Sequence, residues 1–293
     1  MDRTDLAIFT RLVATDALLS DEAIAREVGL TGKAVRTRRT RMEATGVLTE
    51  YGLHPVAEIL GRHALAWRFV GKERLTLPPT QLEEVEDLAY VMSFRPNLHV
   101  AVRFTKDPDP PNDPRLTQIL GQPFAGLPDM HPPATSVRAD DLSRVDWKVL
   151  EAVVRAPRAP YSVKARQANV SPRTFRIHQS KLEEKGALAC VMILNLEREP
   201  GLATYGIWLK LDGSFDEKAV ELPRLWDRPH WTQNPRGVYL LGSAENYFEA
   251  REFELRLRQL PGVVGADPLI PAGGWFARSR FLAWIRAERD RRF

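Results

Sequence analysis

The stretch TGKAVRTRRTRMEATG, residues 31–46, places Lys33, Arg36, Arg38, Arg39 and Arg41 within nine positions, against Glu43 as its one acid. Such a run suits a solvated helix face, a phosphate-binding loop or a helix built to lie in a DNA groove. The phosphate loop fails on spacing, because the glycines of GLTGK stand two residues apart and the Walker pattern needs four. On a helical wheel advancing about 100° per residue, Val35 and Met42 fall together about 190° from Lys33 and define an inward side. Lys33, Arg36, Thr37, Thr40 and Arg41 occupy the opposite half, while Arg38 and Arg39 flank the inward stripe, where they can reach sideways toward phosphates. Acids are nearly absent from the outward face, so i,i+4 pairing does not account for the charge.

Working outward, Thr31 is an N-cap residue and Gly46 a C-terminal stop for this helix. A helix with apolar Leu6, Phe9, Leu12 and Val13 comes first, a second begins after Ser20-Asp21, and VGLTG is the turn into the basic helix. VLTEYG follows as a short extended piece. The whole pattern recurs. From Asp146, DWKVLEAVVRAPRAPYSVKARQANVSPRTFRIHQSKLEEKGAL runs parallel to the segment from Asp5, with one single-residue gap. Asp5 pairs with Asp146, Ala25 with Ala165, Lys33 with Arg173, Arg36 with Arg176, Glu43 with Glu183 and Gly46 with Gly186, and the apolar positions coincide. This is an internal duplication. Two helices joined by a short turn, the second basic, form a helix-turn-helix. The second basic helix turns Arg173, Arg176, Ile177, Ser180 and Lys181 outward, and its exposed isoleucine leaves two readings open: contact with a thymine methyl, or packing against another domain.

A different kind of segment follows each unit. HALAWRFVG and LHVAVRFTK read as strands separated by the acidic helix PTQLEEVEDLA; LATYGIWLKLDG and GVYLLGSA read as strands flanking KAVELPRLWD, followed by the helix FEAREFELRLRQL and the strand GADPLIPA. That is the β-α-β-β-α-β order of a ferredoxin-like split unit. In the first copy DPDPPNDP leaves only RLTQIL of the second helix. The expected fold class is α+β: helix-turn-helix 1 with its wing at 1–53, ferredoxin-like domain 1 at 60–139, helix-turn-helix 2 at 140–196, ferredoxin-like domain 2 at 200–278, and a basic tail or helix at 279–293. The tail, RSRFLAWIRAERDRRF, holds six arginines and two acids, and reads either as a basic arm or as a helix packing through Phe281, Trp284 and Ile285.

Over 293 residues the formal net charge is only +4, so the charge matters through its distribution. Cys190 is the single cysteine, which excludes an intrachain disulfide and a cysteine-based metal cluster. MDRTDLAIFTRLV has no apolar core of a secretion signal, and no apolar run approaches a membrane span. A cytoplasmic protein is expected. The sequence contains no G-x-S-x-G, H-E-x-x-H or G-x-G-x-x-G, and its six histidines are scattered.

The segments DRTDLAIFTRLVATDALLSDEAIAREVGLTGKAVRTRRTRMEATGVLTEYG and VYLLGSAENYFEAREFELRLRQLPGVVGADPLI resemble the winged-helix and ligand-binding parts of the Lrp/AsnC (leucine-responsive, or feast/famine) transcription regulators. Members usually carry one such pair of domains and dimerise; this chain carries two, as if a dimer had been fused. The position before the last turn of the recognition helix, usually apolar in the family, is Arg39 here and Gln179 in the second copy. The resemblance implies a metabolite-responsive regulator of transcription that binds double-stranded DNA, forms homo-oligomers, pairs its two ligand-binding sheets within the chain and needs no cofactor. By residue type, the DNA contacts fall on Lys33, Arg36, Thr37, Arg38, Thr40 and Arg41, and in the second copy on Arg173, Arg176, Ser180 and Lys181. Arginine can read guanine bidentately and threonine can touch a thymine methyl. The resemblance places a small-molecule effector, an amino acid or related metabolite, at the turn Leu241, Gly242, Ser243, Ala244, Glu245 and Asn246. Two alternatives stand beside this non-enzymatic reading. One is an architectural DNA binder without effector, since the first copy lacks the turn glycine. The other is the siroheme decarboxylase class, which resembles tandem Lrp/AsnC proteins; its His-Asn-Tyr run is absent, and RPNLH (Arg95–His99) is a loose echo.

Overall fold

The computed structural model describes residues 2–14, 19–71, 77–95, 97–109, 111–123, 137–195, 198, 203–212, 214, 237–244, 247–268 and 270–293. Helices α1 (Arg3–Ala14), α2 (Asp21–Val28) and α3 (Gly32–Ala44) precede strand β1 (Leu48–Pro55). Next come β2 (His63–Val70), α4 (Pro79–Glu83), β3 (Leu88–Arg95), β4 (Leu98–Thr105), α5 (Pro114–Leu120) and β5 (Gln122–Pro123). The helical pattern then returns as α6 (Arg144–Arg155), α7 (Tyr161–Ala168), α8 (Pro172–Glu184) and β6 (Leu188–Leu194). The chain ends with β7 (Ala203–Leu211), β8 (Gly237–Ala244), α9 (Tyr247–Arg258), β9 (Val263–Pro268), β10 (Ile270–Phe276) and α10 (Arg278–Arg292). The result is a mixed α/β protein. Among the described residues no helix is long and apolar enough to cross a membrane.

Local chemistry sets the helix ends. Ser20 Oγ accepts from Ala23 N at 3.1 Å and Thr31 Oγ1 from Ala34 N at 3.2 Å, each satisfying an amide that the first turn leaves open. Ser171 does the same for Thr174 N at 3.0 Å. Between α2 and α3 the chain reverses at Gly29, φ 70°; the matching position between α7 and α8 is Asn169, φ 54°. Asparagine is the side chain that tolerates this left-handed conformation best after glycine.

The two helical units are packed differently. Around α1–α3, Ile8, Phe9, Leu12, Ile24, Val35, Met42 and Val47 form a small core of their own. Around α6–α8, Trp147, Leu150, Val153, Phe175 and Leu182 are continuous with the central core, which also takes in Tyr90, Phe104, Phe276 and Phe281. The units are joined by antiparallel pairing of β1 with β6, from Leu48↔Leu194 through Gly52↔Val191 to Pro55↔Leu188. Because Leu48 and Leu188 are repeat equivalents, each strand's start meets the other's end, a local twofold relation. Gly52 sits at its centre, where an added Cβ would lie 2.6 Å from both Phe276 Cδ2 and Val191 Cγ1.

The five-stranded sheet has the order β10-β3-β4-β2-β5 and the three-stranded sheet the order β8-β7-β9. α4, the turn after it and α5 cover one face of the first through Leu82, Val85, Leu116 and Leu120 against Phe69, Val91 and Ala101. α9 covers the second through Leu257 against Ile207, Leu209 and Leu211. The expected pairing between the sheets takes another form: one strand crosses over. GADPLIPA, read as a single strand, is divided. β9 pairs with β7, whereas β10 pairs with β3 of the first half, Ile270↔Arg95 to Phe276↔Tyr90. The acidic helix is also shorter than expected, ending at Glu83, with Leu88 already in β3. KAVELPRLWD lies outside the described residues. The tail is a helix packed through Phe281 and Ile285, both fully buried.

Candidate nucleic-acid interface

α3 buries Val35 and Met42 and leaves Lys33, Thr37 and Thr40 exposed. The Arg36 and Arg41 side chains are 61% and 58% exposed. The outward face read from the wheel is therefore open, but the acids that answer its charge come from neighbouring helices, which a wheel cannot display. Arg36 Nε lies 3.1 Å from Asp21 Oδ2 and its Nη2 3.5 Å from Glu22 Oε1. Arg38 Nη1 bonds Asp2 at 2.7 Å and Asp5 at 2.8 Å, and Arg41 also bonds Asp5. Arg39 corrects the sideways-reaching expectation: it is turned inward, its side chain 11% exposed, with Nε 2.9 Å from Asp21 Oδ1 and Nη1 on Glu43 at i,i+4. This also resolves the departure from an apolar residue at that position. A guanidinium is tolerated inside because buried Asp21 faces it; Gln179, its counterpart, is buried and donates to Glu183 Oε1 at 2.7 Å.

Asp21 is a junction. Besides Arg36 and Arg39 it accepts from Arg158 Nη2 at 2.9 Å, and Arg158 Nη1 bonds Leu19 O at 2.7 Å. The loop before α7 thus holds the start of α2. Burial would raise the Asp21 carboxyl, but hydrogen bonds from Arg39 and Arg36 outweigh it and hold the group below its usual range. The Arg38 hydrogen bond holds Asp2 at about 2.

The second unit repeats one feature closely. Asp146, fully buried like Asp5, accepts from His178 Nδ1 and Lys181 Nζ, each at 2.7 Å. His178 and Lys181 are the repeat equivalents of Arg38 and Arg41. Burial opposes ionisation of Asp146, but Lys181, His178 and Ser143 together bring it down to about 2. The first-turn aspartate of each unit's first helix, which accepts from the amide three residues before it, therefore also anchors the third helix. Its signal lay in the sequence, since Asp5 and Asp146 are identical across the repeat; Arg158, in a proline-rich loop, had none. On α8, Arg173, Ser180 and Ile177 are exposed, Ile177 at 59%, and Arg176 lies over the Tyr161 ring at 5.4 Å. Among the described residues nothing packs over this face.

Leu241, Gly242, Ser243 and Ala244 form the end of β8, where Gly242 pairs with Tyr205 and Ala244 with Ala203; Glu245 and Asn246 lie outside the described residues. Of RPNLH, His99 is buried in β4 with Nδ1 2.9 Å from Ser93 Oγ, and burial pushes its pKa down to about 4. A cavity of about 140 Å³ lies between α6, α7 and α10, lined by Lys148, Glu151, Gln167 and Arg289. A shallow one of about 460 Å³ lies at the α7–α8 turn beside Arg166, Ser171 and Pro172. His99 lines neither.

The features together describe a duplicated α/β chain with two uncovered cationic helices. No protein-family model matches the sequence, and no curated protein matches it. Among solved structures the chain is similar to the siroheme decarboxylase NirDL, at 11% identity and a TM-score of 0.41 over 98% of this chain and 99% of that one. The complex of NirDL with an iron-uroporphyrin III analogue gives 11% identity and a TM-score of 0.38, with the same coverage. AsnC of E. coli gives 14% identity and a TM-score of 0.30 over 44% of this chain and 91% of that one. Scores of this size assign no function, which has to come from this chain's own residues.

Proposed function

We propose that this chain is a sequence-specific, double-stranded-DNA-binding transcription regulator. Two winged helix-turn-helix units, 1–53 and 140–196, alternate with two ferredoxin-like units, 60–139 and 200–278, as an intrachain pseudo-dimer. The carrying observation is the open face of α3, where Lys33, Arg36, Thr37, Thr40 and Arg41 stand opposite buried Val35 and Met42. The architecture is supported by the β5-β2-β4-β3 succession within the first sheet, the 4-1-3-2 order of a split βαβ unit, and by the twofold β1–β6 pairing. The carboxylates on Arg36 and Arg41 do not argue against DNA. Both guanidinium heads stand largely in solvent, where phosphates or guanine edges offer equivalent acceptors, and each buried carboxylate keeps another cation, Asp21 with Arg39 and Arg158, Asp5 with Arg38. Arg38, tied to Asp2 and Asp5, orients the helix and reaches the backbone at its edge.

In this reading the two helices engage successive half-sites, with their separation set by the β1–β6 ribbon. An amino acid or similar metabolite binds at the turn 241–246 and shifts that separation or the association of further copies. Selection of genomic fragments on the purified protein tests the assignment. Retained fragments are expected to share a motif, and alanine at Lys33, Arg36 and Arg41 is expected to reduce both affinity and its salt slope. An unchanged slope rejects the groove-reading helix. A tetrapyrrole absorbance band on the purified protein, with no DNA retained, replaces this reading with the decarboxylase alternative.

A further inference from the structure

The two outward faces differ in kind at matched positions. α3 presents Lys33, Arg36, Thr37, Thr40 and Arg41, while α8 presents Arg173, Arg176, Ile177, Ser180 and Lys181. Thr37 is thus replaced by an isoleucine that is 59% exposed. The difference continues beneath the face. Asp21, the acid that receives Arg36 and Arg39, has Tyr161 as its counterpart; Arg176 lies across that ring at 5.4 Å instead of meeting a carboxylate. Arg39 is matched by neutral Gln179. From Pro172 to Lys181 the second helix carries no acid, so its isoleucine sits in a cationic surround that suits a polyanion.

We infer that the two helices read unlike half-sites, α3 a guanine-bearing one and α8 a thymine-bearing one, so that the chain binds a non-palindromic DNA site in a single orientation. This inference rests on the DNA-binding reading above. Lysine and arginine select guanine through O6 and N7, and in the major groove the thymine C5-methyl is the apolar feature that a branched aliphatic side chain can meet. Operator palindromy mirrors protein twofold symmetry, and here the symmetry of the β1–β6 ribbon is kept while that of the reading faces is lost. A homodimer has to present two identical faces. A fused duplicate is free to present two different ones.

The test is selection of sites from randomised double-stranded DNA with the full chain, followed by affinity measurements on the selected site with deoxyuridine in place of thymine in each half. The expected motif has two dissimilar halves. Removing the methyl groups opposite α8 is expected to weaken binding about fourfold per contacted methyl, and Ile177→Ala is expected to abolish that sensitivity. Ile177→Thr, which installs the residue found at position 37, is expected to make the selected halves more alike. Ile177 is solvent-exposed, so an unchanged melting temperature checks that each variant folds. A palindromic motif, or indifference to uridine in both halves, overturns the inference while leaving DNA binding intact, and assigns the α8 face to a protein partner. Failure to retain any DNA overturns the reading on which it rests.

Discussion

α3 and α10 are both rich in arginine, and most of the arginines on their faces are held in different ways. In α3, Arg36 and Arg41 reach, among the described residues, carboxylates of α1 and α2 and stay more than half exposed. In α10, Arg278 donates to Val154 O, Tyr51 O and Glu50, and Arg280 to Leu88 O and Glu83 O. Arg286 and Arg289 bond Glu151 of α6, and Arg292 bonds Asp140. The last helix is a clamp that joins both halves through acceptors far away in sequence. The difference lies in the acceptor. Asp21 and Asp5 keep Arg39, Arg158 and Arg38 when Arg36 and Arg41 turn to a phosphate, whereas the backbone carbonyls that accept from Arg278 hold their guanidinium. Arginine content alone marks neither helix as a nucleic-acid surface.

The comparison breaks most severely at Phe281. This ring is fully buried and lies 4.9 Å from His54, 5.1 Å from Phe276, 5.3 Å from Phe104 and 5.4 Å from Trp284. Phe281→Ala removes the contact that seats the clamp, and is expected to cost about 3–5 kcal/mol of stability, read as a large fall in melting temperature. A loss below about 1 kcal/mol would make α10 a dispensable tail. Arg278→Ala is the next largest. It leaves Val154 O and Tyr51 O without their donor, at an expected cost of about 1–3 kcal/mol, with no change in the salt slope of DNA binding. A changed slope would make α10 part of the interface.

How much of this was legible follows from where each pattern lives. Caps, turn glycines and the inward pair Val35 and Met42 are local, and the duplication exposed them twice. The helix PTQLEEVEDLA takes in the first two residues of β3 and the pattern shows no strand in the rest, because Leu88, Ala89, Tyr90 and Val91 are all buried, and a strand covered on both faces shows no alternation. The split of β9 from β10 is a matter of which sheet each joins, which no local pattern records. For the interface, the exposed cations were readable from a wheel. The inward turn of Arg39 was not, because its cause, Asp21, lies on another helix. Arg158 was equally hidden, since it acts across the two units.

Lys164 is a third kind of cation, placed where the first unit has the core residue Ile24. It is 4% exposed, its Nζ 3.2 Å from Pro157 O and 4.9 Å from the Tyr161 ring centroid. Burial, reinforced by Arg158 and opposed by Glu183, pushes its pKa down to about 8. Below that pH the folded and unfolded chains both carry the proton, and the fold bears the whole penalty of the buried charge. Between pH 8 and the ordinary lysine value of 10.5 the folded chain sheds the proton while the unfolded chain keeps it, so stability contributed by this group rises with pH. Lys164→Ile is expected to stabilise the protein by about 1–2 kcal/mol at neutral pH and progressively less toward pH 10. Denaturant unfolding across that range decides; a gain independent of pH would assign the effect to packing alone.

The smallest effect on the fold falls on Lys33, and it is the one that defines α3 as a surface. Lys33 is exposed and forms no ion pair with a described residue. Lys33→Ala is expected to change stability by less than about 0.5 kcal/mol, since alanine favours the helix and no partner is left behind. If Lys33 meets one phosphate, the slope of log affinity against log salt becomes shallower by about 0.9; if it meets a guanine, the loss is concentrated on one base position of the selected motif. Titrations of wild type and variant at several salt concentrations separate these outcomes. Loss of stability without change in DNA affinity would invert the assignment of the two helices, making α3 structural, because an exposed lysine with no partner among the described residues has nothing in the fold to hold.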